Sequence, residues 1–226
     1  MEVLAVVHGP DVGPELLGEE AAAAGHTLLE GDIRRQGRPP RRCAAVVVLG
    51  GDQNVGEEAV HPWLQDEYDA LRDWVEQGTP LLGVCLGAQT LAHSLGARVV
   101  RMEQELAGFY DTDLLDEGAR DPVLGVLPRR FRAFNGNAFG LELPRQGVLL
   151  ARGPSVQAFR VGASAWGVQF HPEVRRDQVL GWWTDESLPR PRTELERELD
   201  SELAGWQEHG RRLARAFFAQ CSGSSS

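Results

Sequence analysis

The chain has 226 residues, a size that fits one α/β domain with a full core. Hydrophobic residues make up 42% and charged residues 25%, which excludes disordered, collagen-like and disulfide-scaffold classes. The net charge of −10 argues against nucleic acid or an anionic membrane as a partner.

All 23 basic residues are arginine. Without lysine there is no Walker-type phosphate loop, Schiff-base lysine or pyridoxal-phosphate anchor. Cys43, Cys85 and Cys221 have no paired spacing, so neither a disulfide framework nor a zinc site is expected, and a reducing cytoplasm fits. No apolar run reaches a membrane span, and the start of the chain, with Glu2 and a short apolar run, is unlike a signal peptide.

In chain order, residues 3–7 read as a buried strand and residues 14–25 as a helix stopped by Gly25. Residues 31–42, rich in Arg, Gly and Pro, read as a surface loop. Ala44 to Leu49 is a second buried strand closed by Gly50-Gly51-Asp52. Trp63, Leu64, Tyr68, Leu71, Trp74 and Val75 recur at helical spacing up to Gly78. Pro80 to Val84 is a third strand, followed by a short helix over Gly87–Leu95. Uninterrupted apolar strands separated by helices indicate a largely parallel sheet covered on both faces.

From Ala97 to Phe170 short β runs dominate, at 97–101, 131–134, 148–151, 156–161 and 165–170. The stretch Met102–Arg120, with Glu103, Glu105, Asp111, Asp113, Asp116 and Glu117, reads as a solvated acidic loop in preference to a cation or basic-substrate site. A last long helix is expected from Thr193, which with Glu196 forms a capping-box pattern. Its stripe, Leu195, Leu199, Leu203, Trp206, Leu213 and Phe217, needs cover from the domain or from a second subunit in a homodimer. The expected organisation is one domain over 1–222, with a helical extension at about 175–220 and a disordered tail at 223–226.

One segment carries chemistry by its form: Gly83-Val84-Cys85-Leu86-Gly87-Ala88-Gln89, a G-x-C-x-G at a strand-to-helix junction. A nucleophile on a tight turn needs small neighbours, and a helix N-terminus favours a thiolate. Backbone N–H groups beside Cys85 can stabilise an oxyanion. A free cysteine can equally be a small buried hydrophobe, and a cysteine α/β-hydrolase would look similar here. Past a later strand, His171 and Glu173 supply a base and a carboxylate to orient it.

With these two segments together, the chain resembles the class I glutamine amidotransferases. It is most similar to stand-alone members related to the glutaminase domain of GMP synthase. The matching strings are GVCLGAQ at 83–89 and QFHPE at 169–173, with VVVLGGD at 46–52, HPWL at 61–64 and QAFR at 157–160 in the same order. The likeness runs from about residue 3 to 174.

The resemblance implies a flavodoxin-like three-layer fold, with a mixed, mostly parallel sheet, a small β subsheet and a C-terminal helix. It implies Cys85 as nucleophile, His171 as base and acid, and Glu173 as orienter. Gly51 and Leu86 would supply the oxyanion hole, and Gln89, Asn135 and Gly136 would contact substrate. No cofactor and no metal is implied. The substrate would be glutamine or a γ-glutamyl small molecule, with ammonia passing to a separate synthetase subunit. The readings left open are a γ-glutamyl peptidase and a partner-binding module with a weak site.

One departure stands out. Where related members carry a Trp-His-Gly-Asp-like string, this chain has Phe134-Asn135-Gly136-Asn137-Ala138-Phe139. Amides at the His and Asp positions keep hydrogen bonding but lose charge, near the expected pocket for the α-amino acid end.

Overall fold

The structure, a computed structural model, describes residues 1–9 and 12–221. The first half builds five strands and four helices: β1 (Glu2–Val7), α1 (Glu15–Ala23), β2 (Thr27–Asp32), α2 (Ile33–Gln36), β3 (Val46–Val48), α3 (Trp63–Glu76), β4 (Leu81–Val84), α4 (Leu86–Ser94) and β5 (Val99–Leu114). Next come α5 (Asp116–Ala119), β6 (Arg130–Leu141), β7 (Gly147–Arg152), β8 (Val156–Val161) and β9 (Ala165–Val168). The chain closes with α6 (Arg176–Gly181) and α7 (Arg192–Cys221).

Among the described residues nine strands join one sheet in the order β2-β1-β3-β4-β9-β8-β7-β5-β6. The half from β2 to β9 is parallel, and β9-β8-β7-β5-β6 is antiparallel. The expected small subsheet is therefore an antiparallel wing hydrogen-bonded to the parallel half. In the central strands, side-chain alternation feeds two cores. Val47, Leu82 and Val84 pack on the face that holds α1 and α7. Val46, Val48 and Leu81 pack on the face that holds α3 and α4. Burial on both faces explains why these strands read as continuous apolar runs.

Three expectations are corrected. The region expected as a loop from residue 31 holds the end of β2 and α2, whose N-cap Asp32 accepts from the Arg34 N–H. This edge strand is held by pairing with β1 rather than by burial, so its pattern is weak. The acidic stretch is not a loop: β5 continues to Leu114 along β6. Asp111 and Asp116 face outward, where Asp111 pairs with Arg130 at 2.9 Å and Asp116, in α5, with Arg129 at 2.7 Å. Lastly, α7 starts at Arg192 after Pro191, so Thr193 lies inside the first turn and is not the N-cap.

The α7 stripe is buried within the chain, so no second subunit is needed to cover it. Cys221 is the buried last residue of α7. The expected disorder at 223–226 falls outside the described residues. Among the described residues no helix is long and apolar enough to cross a membrane.

Candidate active site

The site lies at the carboxyl ends of β3, β4 and β9, where ligands bind in open α/β sheets. Cys85 stands between β4 and α4 with φ 51° and ψ −105°, a left-handed conformation that is costly for a side chain with a Cβ. Its backbone is held from both sides. The Cys85 N–H donates to the Val168 carbonyl at 2.8 Å, and the Cys85 carbonyl accepts from Ala88 and Gln89 at 3.0 Å each.

The flanking glycines are required by close approach. A Cβ on Gly83 would sit 2.5 Å from the Gly87 oxygen, and one on Gly87 would sit 2.2 Å from the Val48 oxygen. Leu86 opens α4, so its N–H is one of the first-turn donors without an intrahelical acceptor.

His171 follows β9. Its N–H donates to the Phe134 carbonyl at 2.9 Å, and its carbonyl accepts from the Trp206 indole of α7 at 2.8 Å. The ring Nδ1 lies 2.8 Å from Glu173 Oε1, with both side chains buried. Among the described residues Nε2 has no hydrogen-bond partner, which leaves it open to a group bound in the cavity. Burial works against a charged ring, but Glu173 and then Cys85 outweigh it and push the His171 pKa up to about 10.

The Gly50-Gly51 loop closes over this pair. A Cβ on Gly50 would lie 3.0 Å from His171 Cε1 and 3.7 Å from Cys85 Cβ. One on Gly51 would lie 2.8 Å from both His8 Cβ and Leu86 Cδ2. A cavity of about 450 Å³ opens here; Gly51, Cys85, Leu86, Gln89, Gly136 and His171 line it. Glu173 stands behind the His171 ring.

Gln89 donates to the Phe139 carbonyl at 2.9 Å and to Gln169 Oε1 at 3.2 Å, and Gln169 Nε2 reaches Cys85 Sγ at 3.6 Å. Asn135 is not brought to the cavity. It is fully buried in β6 and its amide donates to the Ala133 carbonyl at 3.1 Å. Asn137 and Phe139 of the same strand do line the cavity.

Several residues at the site are not evident from the sequence. Gln169 sits in the QFHPE string, which by itself assigns it no role. Glu67 carries a signal, since it interrupts the apolar face of α3 between Trp63 and Leu71, and a carboxylate buried there requires a partner. That partner is His8 at 2.6 Å. Trp182 and Trp183, which wall the cavity beside His171, carry none.

The family model for glutamine amidotransferase class-I matches residues 32–178. The chain belongs to this family.

A GMP synthase [glutamine-hydrolyzing] of Aeropyrum pernix is 34% identical over 169 residues, covering 72% of this chain and 31% of that protein. A GMP synthase [glutamine-hydrolyzing] subunit from Thermococcus kodakarensis is 30% identical over 132 residues, covering 57% of this chain and 65% of that one. The chain thus spans less than two thirds of the length of these relatives. A glutamine amidotransferase from Thermotoga maritima superposes with a TM-score of 0.81 at 25% identity, over 99% of each chain. One from Methylobacillus flagellatus has a TM-score of 0.86 at 20% identity over 96% and 94%, a likeness of fold alone. This class I amidotransferase therefore carries its family's mixed α/β fold, with the G-x-C-x-G turn and the His171 loop both inside the matched span.

Proposed function

We propose that this protein releases ammonia from the side-chain amide of glutamine, with Cys85, His171 and Glu173 as its triad. The observation that carries the reading is the buried alignment of Glu173 on one ring nitrogen of His171, the other left free beside a strained Cys85 in an open cavity.

In this reading the Cys85 sulfur attacks the γ-carboxamide carbon. The carbonyl electrons move to oxygen, which rests on the Gly51 and Leu86 N–H groups. Collapse breaks the C–N bond as His171 gives its proton to the departing nitrogen, leaving a γ-glutamyl thioester on Cys85. Water then gives one proton to His171 and attacks the thioester carbon. The C–S bond breaks and glutamate leaves. Gln89 and Gly136 line the wall that meets the rest of the substrate, whereas Asn135 acts only from behind that wall. The ammonia passes to a synthetase on a separate polypeptide, a role suggested by the relative that is itself one subunit of a GMP synthase.

A second reading, hydrolysis of a γ-glutamyl amine or peptide, is favoured by one feature. The cavity extends past Cys85 to Trp182 and Trp183, leaving room for a leaving group larger than ammonia. The test is to incubate the protein with glutamine and with a γ-glutamyl dipeptide, assaying ammonia or amine and looking for a γ-glutamyl adduct on Cys85 by mass spectrometry. The reading predicts the adduct and its loss in Cys85→Ala. Absence of any adduct or turnover with both substrates overturns it.

A further inference from the structure

On the far side of the glycine loop from Cys85, β1 and α3 bury a pair of ionisable groups that the proposed chemistry does not use. His8 and Glu67 are each fully buried. His8 Nε2 lies 2.6 Å from Glu67 Oε2, and His8 Nδ1 lies 2.9 Å from the Gly50 carbonyl oxygen. A carbonyl only accepts, so Nδ1 carries a hydrogen. The ring stacks on Trp63 with centroids 5.4 Å apart, and the second oxygen of Glu67 has no partner among the described residues. Such a pair is costly to desolvate, and two apolar side chains of the same volume would fill the space at least as stably. What they could not do is donate to Gly50.

That bond falls on one particular peptide. The Gly50 carbonyl and the Gly51 N–H belong to the same planar trans unit, in which C=O and N–H point in opposite directions. Anchoring the oxygen on His8 turns the Gly51 N–H away from His8. Flanked by two glycines, this peptide has little steric resistance of its own to turning over.

We infer that His8 and Glu67 are positioning residues for the oxyanion hole: Glu67 fixes the His8 ring, and His8 holds the Gly50-Gly51 peptide with its N–H aimed at the oxyanion. This rests on the reading of Cys85 as nucleophile and Gly51 as oxyanion donor. Burial opposes a charged His8, but Glu67 and the Gly50 and Leu49 carbonyls outweigh it and raise its pKa, in keeping with a ring that donates from both nitrogens.

The test compares two reactions of Cys85 that differ in their need for the hole. Acetylation by p-nitrophenyl acetate forms the S–C bond, expels nitrophenolate and passes through an oxyanion. Alkylation by iodoacetamide displaces iodide at a saturated carbon and forms none. Neither probe requires the physiological substrate, so a failure of the glutamine reading would leave this comparison intact.

The apolar pair His8→Phe with Glu67→Leu should acetylate tenfold or more slowly, while alkylation stays within about threefold. The polar pair His8→Asn with Glu67→Gln, whose amide can again donate to Gly50, should recover most of the acetylation rate. If the apolar pair acetylates as fast as wild type, or if both reactions fall together in the polar pair, the inference is overturned. Should the apolar pair fail to fold, His8→Asn with Glu67→Gln against His8→Leu with Glu67→Gln gives the same comparison.

Discussion

Replacing Glu173 by Gln tests the electrostatics of the site most directly. The carboxylate lies 2.8 Å from His171 Nδ1, in a buried position where water screens little. An amide oxygen there can still accept the Nδ1 hydrogen, so the ring keeps its tautomer and orientation. Only the charge is lost. A charge-assisted hydrogen bond contributes about 1.5–3 kcal/mol against about 0.5–1.5 kcal/mol for a neutral one, so losing the charge alone costs about 1–1.5 kcal/mol and turnover should fall roughly five- to tenfold. The pH profile should change as well.

With its pKa pushed up to about 10, His171 holds at neutral pH the proton that the departing amine would need in the proposed reaction, and gives it up as pH rises through about 10. The stabilisation of the fold has the same sign: it is present below the unfolded value near 6.5 and is lost toward 10. Removing Glu173 takes away the largest favourable cause, so the alkaline limb should move down by roughly one to two pH units. The assay is ammonia or amine release against pH, normalised to the Cys85 titratable with iodoacetamide. His171→Ala should be worse than Glu173→Gln at every pH, since the histidine moves the proton and the carboxylate only assists it. A Glu173→Gln profile that superimposes on wild type, or a larger loss than in His171→Ala, refutes the reasoning.

Iodoacetamide should modify Cys85 before Cys43 and Cys221: burial raises both of the latter thiols, Cys221 to about 12, and neither lines the cavity. The double change Cys43→Ala with Cys221→Ala should keep activity, and equal labelling of all three would count against a poised nucleophile. Gly87→Ala should cost about 4 kcal/mol or more in thermal unfolding, because its Cβ would meet backbone at 2.2 Å. Gly205→Ala, in α7 with nothing within 4 Å, should stabilise by about 0.5–1 kcal/mol. A similar melting temperature for the two glycine variants would show that close approach at the turn has been misjudged.

The parts of the fold legible in the sequence are those whose signal is local. The Val46–Val48 and Leu81–Val84 runs, the α3 stripe and the Gly83–Gly87 turn each fit within a window where burial or sterics fix residue type. What stayed hidden depends on distant partners. β5 from Met102 onward looks like a loop because its Asp111 and Asp113 find their partner in Arg130 of β6, which no local pattern reveals. The candidate site divides the same way. Cys85, His171 and Glu173 sit in compact strings. The His8 ring and Glu67 are 59 residues apart, and Trp206 reaches the His171 carbonyl across 35. These residues meet only once α3 and α7 pack on the two faces of the sheet that brings β1, β3, β4 and β9 side by side.

The departure at residues 134–139 is narrower in three dimensions than along the chain. Of the two amides, Asn135 does not line the cavity and Asn137 does, so Asn137 is the substitution placed to meet a substrate in the proposed reaction. Its Nδ2 donates to the Phe139 carbonyl at 2.8 Å, and its Oδ1 is buried without a partner among the described residues. In the proposed reaction a carboxylate at this position would bring to the cavity wall a charge for the α-ammonium of glutamine that the amide lacks. The remaining charges on the wall include Arg101, at the start of the register shift in β5, and Glu105, within it, both free of ion pairs among the described residues.

Asn137→Asp should therefore lower the Michaelis constant for glutamine by about tenfold or more while leaving turnover nearly unchanged, because the new charge sits at the α end and not at the reacting amide. Glu105→Gln should act in the opposite direction if the ammonium already finds its partner there. A Michaelis constant that Asn137→Asp leaves unmoved, in wild type and in Glu105→Gln alike, would mean that the amino end of the substrate lies elsewhere. The amide at 137 would then be a structural choice of β6 rather than a determinant of substrate.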